Sequence, residues 1–424
     1  MGHHRGPVGR AAAVAIAVLS ASLLSSGAVG ATPAADATAA ADATAAAHAT
    51  PGIPTAPTAD AFVVAIAATS TPVIRTIAGP LVSGGTTAGP APTLNGWTAT
   101  NVVDPAGSFT SAAFAVTGAK RAVLAYQSSR TTFVRTSIDS GRTWSSARQL
   151  SPSGKKVVRV TMAAAGARVS VLSQTTGGLF IRSSTDGGSS WGSSRTVPFP
   201  YAQPAIARGP DNVVALIGFD SGGLRWKVKV STDGGTSWGP ARTVGSWELT
   251  GGDVPPPSIA VAGSSIVVLF KNANQDLVAR RSTDRGATWS TARVLETDAS
   301  LVATLAANGT TVIAAYGQDP VDADRLVVRR STNGGRSWSA PMLFGTDLVG
   351  LAVGFGQGAW RLVTSDTTGA WRYRSSTTGS SWSSPVVIDT GHGDFSAPIG
   401  VGAFTGGPVA GFQDTQEDLW VVRD

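Results

Sequence analysis

Side chains able to carry covalent or acid–base chemistry are few in this sequence. Cys is absent, so no thiol nucleophile, disulfide framework or thiolate zinc site can come from the chain itself. His occurs only at 3, 4, 48 and 392. A Ser–His–Asp arrangement would have to use His392, which sits in the turn-like run Gly391-His392-Gly393-Asp394. Glu is confined to Glu248, Glu296 and Glu417, and Tyr to Tyr126, Tyr201, Tyr316 and Tyr373. No phosphate-binding loop, dinucleotide fingerprint or His/Asp cluster at metal-ligand spacing is present. No cofactor and no metal are therefore expected. Loop carboxylates remain: Asp253, Asp298, Asp347 and Asp394 each fall between successive repeats. Two such groups at the right separation would cleave a glycosidic bond, whereas their plain reading is as solvated loop acids.

The elements that must position these residues come from a repeat. Six segments end in Trp: SIDSGRTW at 137–144, STDGGSSW at 184–191, STDGGTSW at 231–238, STDRGATW at 282–289, STNGGRSW at 331–338 and STTGSSW at 376–382. Trp144, Trp191, Trp238, Trp289, Trp338 and Trp382 are thus spaced by 47, 47, 51, 49 and 44 residues, the period of a four-stranded propeller blade. An Asp side chain accepts hydrogen bonds from the N–H groups of its own turn, Gly supplies positive φ, and Trp adds a large apolar wedge. Asp139, Asp186, Asp233 and Asp284 fill the acidic position, Asn333 replaces it once, and Thr377 is the nearest equivalent in the last copy. These residues read as structural. Between the boxes four strands per unit are legible, as in PAIARG, NVVALIGF, RWKVKVS and ARTVG of the third. Their alternation is weak because both faces of a blade are covered.

The segment Ser-x-Asp-x-Gly-x-Thr-Trp resembles the Asp-box, or bacterial neuraminidase repeat, of the sialidase-like superfamily. The resemblance covers about residues 97–424 and implies an all-β propeller with the box joining the third and fourth strands of each blade. After the sixth box the chain supplies three strands, SAPIGVGAF, PVAGFQD and DLWVVRD, and stops. Upstream, the run from Trp97 to Asp104 looks like the fourth strand that follows Trp382. This predicts a seven-bladed β-propeller closed by N- and C-terminal strands in one composite blade, with six blades as the alternative. Closure removes exposed sheet edges, which a chain without disulfides needs.

Residues 1–31 read as a signal peptide: Arg5 and Arg10 precede an apolar stretch from Ala11 to Leu24, and Val29-Gly30-Ala31 offers a cleavage site. Residues 32–95 begin as an Ala/Thr/Pro tract without apolar periodicity and read as a flexible spacer. The propeller is assigned to 96–424. A secreted monomer with no membrane span in the mature chain follows. The formal net charge of +7 weakly favours anionic partners, but no Lys/Arg run points to nucleic acid, so none is expected as a partner.

Asp-box propellers include sialidases and non-enzymatic binders, so fold alone does not decide activity. The sialidase resemblance implies three Arg, an acid/base Asp and a Tyr assisted by Glu. Where the family has its first Arg this sequence reads Phe109-Thr110-Ser111-Ala112. Arg130, in LAYQSSR, can fill a second position, and Glu248 is the Glu placed to assist a nucleophile. Arg225, Arg325 and Arg361 are the other Arg from which a cluster could be built. Tyr126 and Tyr316 read as packing residues. The reading this supports is a non-catalytic module binding an extracellular glycan, a protein or a cell-envelope component, with Tyr201, Gln203, Trp247, Asp319 and Asp394 as contacts. A sialidase-type exo-glycosidase, or another glycoside hydrolase with a rebuilt site using Arg130, Glu248 or Asp253, is the alternative.

Overall fold

The computed structural model describes residues 93–94, 96–103, 111–247, 254–297, 299–318, 325–345, 348–366, 370–389, 395–414 and 419–424. The expected signal peptide and nearly all of the spacer lie outside them. The described residues form seven antiparallel sheets and no helix. The innermost strands are Ala112–Val116, Val157–Ala165, Ala202–Arg208, Ser258–Ala262, Ala299–Asn308, Leu348–Gly356 and Phe395–Phe404. Each touches the next, and the last returns to the first, so the seven blades close a ring. The second strands are mostly buried, and Ser265–Lys271 is buried along its whole length. Neighbouring blades cover both of its faces, which is why the sequence shows no alternation there.

The seventh blade joins the two ends of the propeller. Trp97–Val103 pairs with Leu419–Arg423, with Thr98 opposite Arg423, Thr100 opposite Val421 and Val103 opposite Leu419. Trp97 packs on Tyr373 of the sixth blade with ring centroids 5.3 Å apart, the place a box Trp takes elsewhere. Thr93–Leu94, inside the stretch read as spacer, adds a short fifth strand by pairing with Trp97 and Thr98.

One end of the ring carries the boxes. In the second blade Ser190 donates to the Asp186 carboxylate through N–H at 2.9 Å and hydroxyl at 2.5 Å. Ser184 also donates to that carboxylate at 2.7 Å and accepts from Gly188 N–H at 2.9 Å. The same set recurs around Asp139, Asp233 and Asp284, and Asn333 keeps most of it. The sixth box is one residue shorter. There Thr378, not Thr377, takes the polar position, its hydroxyl 2.7 Å from that of Ser380. These donors, led by the Ser190 hydroxyl, hold the Asp186 carboxyl well below its ordinary range, and the Thr288 hydroxyl foremost brings Asp284 to about 2. Each box leans on the preceding blade: a Cβ on Gly188 would lie 2.5 Å from Val123, and one on Gly286 2.7 Å from Val230. Trp191 likewise packs with Val123, Ala125 and Val134 of the first blade.

Candidate functional site

The turns joining first to second strands share the box end, as the bond from Gly187 N–H to the Ala167 carbonyl at 2.8 Å shows. The opposite end is built from turns between second and third strands and from connections between blades. At this loop end, main-chain bonds tie the turns to the connections that leave or enter a blade. Val157 N–H, opening the second blade, donates at 2.8 Å to the carbonyl of Arg130 in the turn of the first. Trp247 N–H donates at 3.0 Å to the Leu224 carbonyl.

The carboxylates described at this end are engaged locally. Asp220 accepts from Gly223 N–H at 3.3 Å, and Asp276 from the amide of Asn272 at 3.0 Å. Asp366 forms an ion pair with Arg372 and accepts from Ala370 N–H at 3.1 Å. Glu296 accepts from the Tyr316 hydroxyl at 3.4 Å and from the Gln318 amide at 3.3 Å. This Tyr–Glu pair has the residue types of a sialidase nucleophile and its assistant. Tyr316 is however 0% exposed, wedged between the fourth and fifth blades with Arg329 donating to its oxygen at 2.8 Å. Burial foremost pushes its phenol up to about 12, so it is a packing residue with no route to a substrate.

Among the described residues, those singled out from sequence are not gathered into one pocket. Tyr201 is half-buried, set edge-on to Phe199 with centroids 4.7 Å apart; burial, then the Asp220 charge, pushes its phenol up. Trp247, expected as a ligand contact, is 3% exposed within the core between the third and fourth blades, where it covers a blade edge. Gln203 is 7% exposed and donates to the Val254 carbonyl at 3.1 Å, so it ties two blades together instead of facing solvent. Its left-handed φ of 53° marks the bulge between Ala202 and Ala205. Trp247 lies in an inter-blade core and Gln203 is turned to the Val254 carbonyl, so neither presents its side chain to solvent. Glu248, Asp253, Asp319 and Asp394 lie outside the described residues, as does His392.

The expected Arg set is dispersed. Arg130 is in the loop-end turn of the first blade, while Arg225 and Arg325 open the third strands of the third and fifth blades. Arg361 turns to the box end, where its guanidinium donates to the carbonyls of Gly356 and, at 2.8 Å, Ala359. Sequence reasoning missed Arg159, half-buried at the bulge that opens the innermost strand of the second blade, and the exposed pair Lys155 and Lys156 before it. Burial draws the Arg159 guanidinium below its usual range. The signal was available as charge summed over blades, which a search for Lys/Arg runs does not see.

Residues 109–298 match the model of a BNR repeat-like domain. The chain is a seven-bladed β-propeller, and this stretch of it is similar to that repeat family. Among solved structures, this propeller is similar to the BP39L lectin from Burkholderia pseudomallei, with a TM-score of 0.54 and 14% identity over 74% of this chain and 97% of that one. The fucose-specific lectin from Aleuria aurantia aligns with a TM-score of 0.44 and 14% identity, over 66% of this chain and 95% of that one. The Trypanosoma rangeli sialidase in complex with the inhibitor DANA aligns with a TM-score of 0.41 and 12% identity, over 75% of this chain and 55% of that one. At these identities the likeness concerns the fold. No curated protein sequence matches the chain.

Proposed function

We propose that this propeller is a secreted, non-catalytic binding module for an extracellular glycan or a cell-envelope component, acting as a monomer with its ligand at the loop end. The observation that carries the reading is the use of the loop-end carboxylates among the described residues. Asp220, Asp276, Glu296 and Asp366 each serve their own loop or blade interface. Glycoside hydrolysis needs an acid and a second carboxylate or equivalent nucleophile, both free to meet the scissile bond. A rigid ring with variable turns at one end suits recognition instead. A propeller of like shape is a lectin in the Burkholderia pseudomallei protein, which agrees with a carbohydrate ligand. Export rests on the charged and apolar leader at 1–31.

The test is a glycan array probed with the mature protein, alongside pull-downs from cell-envelope fractions and an assay with a fluorogenic sialoside. Saturable binding without turnover is expected. Release of sialic acid, abolished by Arg130→Ala, would replace this reading with the exo-glycosidase. Silence in both binding screens would remove the binding module.

A further inference from the structure

Positive charge is uneven around the ring. Residues 105–197, which hold the first two blades, contain twelve Lys/Arg and only two acids, Asp139 and Asp186. The whole chain has 33 and 26, so elsewhere 24 acids outnumber 21 bases. Asp139 and Asp186 are both tied into box turns at the far end. The loop end of these blades presents Arg130, Lys155, Lys156 and Arg159.

The four cations are brought together by main-chain bonds. Val157 N–H on the Arg130 carbonyl joins the turn of the first blade to the segment carrying the other three. Thr176 N–H donates to the Lys156 carbonyl at 3.3 Å, fixing that segment against the next turn. Lys155 Nζ stands 6.0 Å from the centroid of the Phe180 ring. The turn holding Arg130 is itself strained. Ser129 and Arg130 have φ of 48° and 62°, the left-handed pair of a two-residue hairpin for which Asn-Gly is the favoured sequence. An exposed Arg at a position where Gly would be less costly points to a use for the side chain.

We infer that the loop end of the first two blades docks a linear polyanionic glycan, whose repeated carboxylate, sulfate or phosphodiester groups meet Arg130, Lys155, Lys156 and Arg159 in turn. This rests on the reading of the propeller as a binding module and names the ligand chemistry. Separate cations on a turn, a connection and an inner strand suit repeated charge better than one anion. Single-stranded nucleic acid would need open aromatic faces for its bases. Phe133, stacked on Tyr126 at 5.8 Å, and Phe180, beneath Lys155, are half-buried and offer none.

The experiment titrates the mature protein with polygalacturonate, dextran sulfate, polyglycerol phosphate, uncharged dextran and single-stranded DNA. The three polyanions separate the possible anionic groups. Arg130→Gly and Lys155→Ala/Lys156→Ala are compared with Arg148→Gln/Arg195→Gln, which removes as much charge as the Lys pair, and more than Arg130→Gly, from the exposed outer strands of the same blades. At least one glycan polyanion should bind, with a salt-dependent affinity, and uncharged dextran should not. The first two variants should each lose about ten-fold in affinity and the outer control under about two-fold. Arg130→Gly should also melt no lower than the parent, because the turn prefers Gly, whereas a structural Arg would lower the melting temperature. Equal loss in the outer control, tighter binding of DNA than of every glycan, or full affinity in Arg130→Gly would overturn the inference. Binding of a neutral glycan that ignores these variants would sink it while leaving the binding module intact; no ligand in any screen would sink both.

Discussion

The two ends of the ring are built on opposite rules. At the box end the same few bonds recur: Ser to Asp, Gly N–H to Ser, and N–H and hydroxyl from four residues on to Asp. At the loop end the polar contacts among the described residues differ from blade to blade. Asp366 pairs with Arg372, Gln203 reaches the Val254 carbonyl, and Lys271 donates to the Ala299 carbonyl of the next blade. The box end spends its polar groups on the scaffold, so its carboxylates are poor candidates for chemistry although they are mostly exposed. Variation is confined to the other end, where a ligand can be met without disturbing the ring.

The largest test of this contrast removes the closure on which both ends depend. A chain starting at residue 93 should melt like the parent. A chain starting at 107 loses Trp97, Ala99 and Val102, all buried, and exposes the edge of Leu419–Arg423. It should be destabilised by at least about 4 kcal/mol and aggregate on heating. Equal melting temperatures by calorimetry for the two truncations would show that the composite blade does not hold the ring.

Glycine gives the next contrast. Gly188 has φ of +92° and no room for a Cβ against Val123, whereas Gly177 at the loop end has nothing within 4 Å. Gly188→Ala should cost about 2–3 kcal/mol, and Gly177→Ala should stay within about 0.5 kcal/mol. Urea titration of the two proteins measures the difference.

Acid removal follows. Asp186→Ala strips its turn of bonds from Ser184 and Ser190 and should cost about 1–2 kcal/mol. Asp220→Ala loses one bond from Gly223 and should change stability by under about 0.5 kcal/mol. Comparable losses at both sites would erase the distinction between scaffold and loop carboxylates.

The smallest effect is on pH dependence. The box carboxyls titrate lower in the fold than in the unfolded chain, with Asp284 at about 2. Their contribution is therefore complete above the ordinary carboxylate value of about 4 and is lost as pH falls through the folded value. Melting temperature should drop between about pH 4 and pH 2. Replacing Asp139, Asp186, Asp233 and Asp284 by Asn, as at position 333, should flatten that limb; an unchanged acid limb would place the sensitivity elsewhere.

Blade number, the box turns and the composite seventh blade were all legible in the chain, because each rests on a period or on chemistry within eight residues. Trp97 could be matched to Trp382 by its neighbours alone, and the pairing with Leu419–Arg423 followed from counting strands. Side-chain direction was not legible. Both faces of a blade are covered, so apolar runs such as Ser265–Lys271 carry no alternation to say which way a residue points. Only the assembled ring decided that Trp247 and Gln203 are interior and that Tyr316 and Glu296 meet inside a blade interface. It also decided that Thr378 replaces Thr377, and that Arg130 and Arg159, 29 positions apart, flank one inter-blade hydrogen bond. Trp247, Gln203 and Tyr316 owe their placement to packing between neighbouring blades, which exists only once the ring has closed, whereas Thr378 is set by its own shortened turn.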